Sequence, residues 1–62
     1  MKFNSFINKI DANQEIEVFT NKEYLYDKFN GKAIDFIHEY TDRDIDLIKC
    51  HNNKLLIILR NI

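Results

Sequence analysis

The chain contains no proline and no tryptophan, a single glycine and a single cysteine. Each scarcity excludes something. With Gly31 as the one glycine, no stretch has the composition of a flexible interdomain linker, so the 62 residues read as one domain. Cys50 has no second cysteine to pair with in the chain, and that usage suits a reducing compartment. No apolar run approaches the roughly 20 residues that span a bilayer, and the first residues lack the apolar core of a signal peptide. A soluble cytoplasmic protein without membrane association is expected. An excess of charge of one sign is missing too. Nine Lys and Arg stand against ten Asp and Glu, a net charge of −1, so no global positive field gathers nucleic acid.

Apolar content is 45%, with three tyrosines and five phenylalanines, enough for a packed core and against disorder. A domain this small buries only about 60% of its unfolded surface, so it is marginal without a staple or a partner. The stretch that organises the rest is Leu55-Leu56-Ile57-Ile58-Leu59, closed by Arg60. As a strand it is apolar on both faces. Leu55, Ile57 and Leu59 serve one core, and Leu56 and Ile58 then require a second cover. These two residues are therefore the expected interface of a homodimer or higher oligomer, with the protein's own helices as the other candidate cover.

Phe3, Phe6, Ile7 and Ile10 keep the i, i+3, i+4, i+7 spacing of one helix face, with Asn4 or Ser5 as candidate cap. Glu15 to Thr20 alternates like a strand, with Ile16 and Val18 on one side. Asn21-Lys22-Glu23 predicts a hairpin loop into a second strand, Tyr24 to Asp27, expected at the edge of the sheet by its shortness. Gly31 predicts a change of direction. Ala33, Phe36, Ile37 and Tyr40 predict a helix of about two turns, short enough to depend on tertiary packing. A strand from about Ile45 carries Ile48 and Cys50 on one face, and the adjacent Leu47-Ile48 pair breaks strict alternation, which predicts a bulge or a change in cover. Asn52-Asn53 suits a two-residue type I′ turn. The order is α-β-β-α-β-β: an α+β fold with an antiparallel sheet of about four strands.

No residue constellation points to catalysis, a metal or a cofactor, and the expected protein is not an enzyme. Cys50 and His51 are neighbours in a strand and point to opposite faces, so they do not share an ion, and Cys50 is expected to be a small buried thiol. Asp42-Arg43-Asp44-Ile45-Asp46 starts like a calcium loop, but Leu47 and Asn53 stand where that loop needs Gly and a bidentate Glu. Two surfaces remain. Asp35, Glu39, Asp42, Asp44 and Asp46 form an acidic segment suited to a basic protein partner. Tyr24, Tyr26 and Lys28 on one strand face, with Lys32 nearby, form an aromatic and cationic platform suited to single-stranded nucleic acid.

The stretches Phe6-Ile7-Asn8-Lys9-Ile10-Asp11, Ile16-Glu17-Val18-Phe19, Leu25-Tyr26 with Gly31-Lys32, and Asn53-Lys54-Leu55-Leu56-Ile57 give most of the chain a further likeness. It resembles a loose group of small proteins encoded by phages and mobile elements of low-GC Firmicutes. That resemblance implies an inhibitor of a bacterial defence system, of the anti-CRISPR kind, acting in the host cytoplasm by binding a host protein. It transfers no binding residue. The alternative is a small oligomeric module that binds nucleic acid or nucleotides.

Overall fold

The computed structural model describes residues 1–61. Helix α1 (Phe3–Ile7) is followed by strands β1 (Glu15–Phe19) and β2 (Lys28–Lys32), a 3-10 helix (Ala33–Phe36), and strands β3 (Ile45–His51) and β4 (Lys54–Leu59). The fold class and the order of elements are those the sequence predicts, with a single 3-10 turn in place of the second helix. The four strands lie in the order β2-β1-β4-β3. β1–β2 and β3–β4 are antiparallel, whereas the central pair β1–β4 is parallel. The sheet is therefore mixed rather than wholly antiparallel. Its most apolar strand, β4, is buried between two neighbours, the position that removes the most apolar surface from water.

α1 and the 3-10 helix cover one face of the sheet. Phe3, Ile7, Ile16, Val18, Ala33, Phe36, Ile57 and Leu59 form a continuous buried core there, with Phe6, Ile10, Tyr40, Ile45 and Leu55 packed against it. α1 ends at Ile7, earlier than Ile10, and starts after Lys2 with no side-chain cap. Its entry is fixed by pairing instead: the N–H of Phe3 donates to Arg43 O at 2.8 Å, and the N–H of Ile45 donates to Met1 O at 2.9 Å. Phe3 meets Phe36 at 6.4 Å and Tyr40 at 6.0 Å, both edge-on, and Tyr40 also meets Phe29 and Phe36. Such contacts add to the area buried.

Strand β2 begins four positions later than the sequence suggests. Tyr24 to Asp27 is a turn, and Gly31 sits inside the strand opposite Ile16, with no positive φ. Its hydrogen stands where a Cβ would lie 2.9 Å from Phe36 Cε2 and 3.1 Å from Asp35 Oδ2. Gly31 is thus a site of close approach, which is the other reason for a glycine in a strand. The strand gives way to the 3-10 helix directly after Lys32, and the left-handed backbone that a glycine would suit falls at Tyr40, whose φ is 53°. In the last hairpin the turn is as expected, with φ of 50° and 65° at Asn52 and Asn53, and β3 does carry a register shift, between Ile45 and Leu47 rather than at the Leu47-Ile48 pair. The bulge lets Ile45 and Ile48 both lie on the covered face.

Tyr40 also sets an alkaline limit. Burial raises its pKa above the usual tyrosine value, Glu39 adds to the rise, and Arg43 opposes it. An unfolded tyrosine loses its proton near pH ~10, so protonated Tyr40 contributes its full stability below that pH. The contribution is lost as pH rises through the folded-state pKa. Thermal unfolding followed at pH values on both sides of ~10 is expected to show a falling midpoint only on the alkaline side. Tyr40→Phe should flatten part of that fall.

Candidate interaction surfaces

The second face of the sheet has no helix over it. Its residues follow from the strand register. Lys32, Glu15, Lys54 and His51 form one row across the four strands; Asn30, Glu17, Leu56 and Lys49 form the next; Lys28, Phe19, Ile58 and Leu47 form the third. One end of this face is basic and the other apolar. Phe19 is 9% exposed although it lies outside the core cluster, and Leu56 and Ile58 are half-buried. Leu47 is 44% exposed. The residues expected at an oligomer interface therefore lie on the uncovered face, and the protein's own helices do not provide their second cover.

The charges on this face are unevenly spent. Lys28 Nζ lies 3.2 Å from Glu17 Oε1. Among the described residues, Glu15, Lys32, Lys49 and Lys54 form no ion pair. Glu15, Asn30, Lys32, Asp35 and Lys54 line a cleft of about 370 Å³ floored by Ile16 and Gly31. Cys50 is exposed rather than buried, because its place opposite Leu55 lies near the end of the hairpin, where no helix reaches. His51 falls on the other face, opposite Lys54.

Tyr24 and Tyr26 do not lie on a strand. They sit in the turn between β1 and β2, with ring centroids 5.8 Å apart and planes at 54°, and Tyr24, Leu25 and Tyr26 are 49%, 49% and 77% exposed. The tilted rings are no parallel stacking platform. Lys28, the cation expected to complete it, is on β2 and paired with Glu17, and Lys32 lies at the opposite end of that strand. The turn itself is well braced. The N–H of Tyr24 donates to Asn21 O, that of Asp27 to Tyr24 O, and that of Thr20 to Asp27 O, all within 3.1 Å. Asn21 Oδ1 accepts from Glu23 N–H at 2.9 Å, and Asn61 Oδ1 accepts from Lys22 N–H at 3.0 Å. Lys22 points to Asp46, so Glu23 and Asp27 are left without ion pairs among the described residues. The turn presents three apolar side chains inside a net negative rim.

The acidic segment is partly consumed within the chain. Asp35 Oδ2 accepts the Lys32 N–H at 2.9 Å, Asp44 pairs with Lys2 at 3.3 Å, and Asp46 lies 3.5 Å from Lys22 and 3.7 Å from Arg60. Arg43 Nη2 donates to Thr20 O and Arg60 O, both at 2.9 Å, tying the segment to the ends of β1 and β4. Glu39 and Asp42 remain exposed and without ion pairs among the described residues. Asp35 is also separated from the others, at the Glu15 end of the sheet, whereas Asp44 and Asp46 lie at the Phe19 end. The five carboxylates therefore do not make one patch. The braced turn, which replaces them as the most exposed cluster of anchors, is not foreseeable from periodicity. Its one local signal is Asn21, whose side chain caps the turn.

No helix among the described residues is long and apolar enough to cross a membrane. No family model, curated protein or solved structure matches the chain.

Proposed function

We propose that the chain is a non-enzymatic interaction protein that grips a protein partner through the Tyr24-Leu25-Tyr26 turn. The observation that carries this reading is a set of three large exposed side chains on a turn already held by backbone hydrogen bonds. Aromatic anchors on a preorganised backbone pay little ordering entropy on binding, and such residues dominate interface energies. The negative rim of Glu23 and Asp27 selects a partner whose apolar pocket is edged by Lys or Arg, and Glu39 and Asp42 steer the encounter. The resemblance to phage and mobile-element proteins makes a bacterial defence protein the partner class, with inhibition by occupancy of its surface in the host cytoplasm.

The test is capture from a host lysate with and without nuclease, repeated with Tyr24→Ser/Tyr26→Ser and with Glu39→Lys/Asp42→Lys. A single captured protein should survive nuclease and weaken more than about tenfold in the tyrosine variant, as loss of two interface aromatics implies. The charge-reversed variant should act mainly through association rate and salt dependence. A second reading has its own observation: Lys32, Lys49 and Lys54, without ion pairs among the described residues, lie toward one end of the open face. Micromolar binding of labelled single- or double-stranded DNA that needs these lysines, with no protein captured, would replace the first reading by nucleic-acid binding.

A further inference from the structure

We infer that the uncovered face of the sheet is closed by a second copy of the chain, packed sheet on sheet about a two-fold axis parallel to the strands and lying between β1 and β4. The self-complementarity of the face selects this axis. The two central strands are parallel, so a rotation about their common direction lays β1 of one subunit over β4 of the other without exchanging the ends of the sheet. Phe19 then faces Ile58 of the partner subunit, and Glu15 faces Lys54 of the partner subunit. Each contact occurs twice. Glu15 and Lys54 are the charged residues of the central strands that have no ion pair within the chain, among those described. A two-fold axis across the strands instead lays the row of Lys32, Glu15, Lys54 and His51 on the row of Lys28, Phe19, Ile58 and Leu47, so that Lys32 meets Lys28 of the partner subunit. That arrangement sets like charges together and buries Glu15 and Lys54 against apolar groups, and it is rejected. About the chosen axis only Glu17 and Lys28, already paired with each other, lie against apolar groups, Leu56 of the partner subunit and Leu47 of the partner subunit.

The patch is small. Strands spaced about 4.8 Å apart with a rise of about 3.3 Å per residue make four strands of five residues a surface of roughly 19 Å by 17 Å. This falls well below the roughly 800 Å² per partner of a stable interface, so the dimer is a weak, transient one rather than an obligate unit. It requires no other protein, and its test is independent of capture through the tyrosine turn.

Sedimentation equilibrium of the wild type from ~10 μM to ~1 mM is expected to show a monomer passing to a dimer. Glu15→Lys and Lys54→Glu, each alone, place like charges across the axis and should weaken association by roughly tenfold. Mixed in equal amounts they restore both attractive pairs, so a one-to-one heterodimer should form more tightly than either homodimer. Far-UV circular dichroism confirms that each variant is folded, and Phe19→Ser, on the same face but neutral, should remain monomeric in any mixture. A wild-type monomer at ~1 mM overturns the inference. So does a mixture of the two charge variants that associates no better than its components.

Discussion

Ile57→Ala is expected to cost about 2–5 kcal/mol, the range for truncating a large aliphatic residue in a packed core. Ile57 is fully buried, central in β4, and registered between Val18 of β1 and Ile48 of β3. The void left behind touches both neighbouring strands and the helices beneath, so no single side chain can relax into it. At roughly 0.05–0.15 kcal/mol per residue, a chain of this length has about 3–9 kcal/mol in all, and the substitution removes a large share of it. Urea denaturation followed by circular dichroism should show a clearly lower midpoint with little change in slope. Ile58→Ala is the control, since its side chain is half-buried on the face without helices. At low micromolar concentration it should cost less than half as much. Equal costs at the two positions would mean that both faces are buried alike, against the packing described above.

What could be read in the sequence is what neighbours in the chain decide. The alternation of Ile16 and Val18 and the Asn52-Asn53 turn are local signals that lie where they are expected, and the break read at Leu47-Ile48 falls just before it, between Ile45 and Leu47. The parallel pairing of β1 with β4 joins residues about 40 positions apart and leaves no local mark. The acidic segment shows the same limit. Five carboxylates beside one arginine look uncompensated along the chain, yet Lys2, Lys22 and Arg60 reach them from distant stretches. Tyr24 and Tyr26 misled for another reason. Their i, i+2 spacing fits a strand, but the Asn21 side chain and the Tyr24 carbonyl satisfy the backbone of this segment as a turn, and the ladder with β1 starts only at Lys28. Of the candidate sites, only the placement of Leu56 and Ile58 opposite the core was legible, because it needs nothing beyond the period of a strand.

Gly31→Ala should destabilise the fold, although alanine in a strand normally gains over glycine by roughly 0.5–1 kcal/mol through the lower entropy of the unfolded chain. The sign turns on space. A Cβ at Gly31 meets Phe36 Cε2 at 2.9 Å, Asp35 Oδ2 at 3.1 Å and Phe36 Cζ at 3.4 Å. Neither neighbour yields freely. Asp35 Oδ2 is held by the Lys32 N–H at 2.9 Å, and the Phe36 ring is wedged among Phe3 and Tyr40. Overpacking of this kind costs about 1–3 kcal/mol, which outweighs the entropic gain. The cause can be separated from a general intolerance of β2 by a double-mutant cycle with Phe36→Leu, whose shorter side chain lacks the ring atoms in the way. Phe36→Leu alone should be destabilising, but less so in the Gly31→Ala background, with a coupling of about 0.5–3 kcal/mol measured by urea denaturation of the four proteins. Strict additivity would show that the ring of Phe36 is not what Gly31 accommodates, and the glycine would then have to be explained by the Asp35 carboxylate and the Lys32 N–H that it receives.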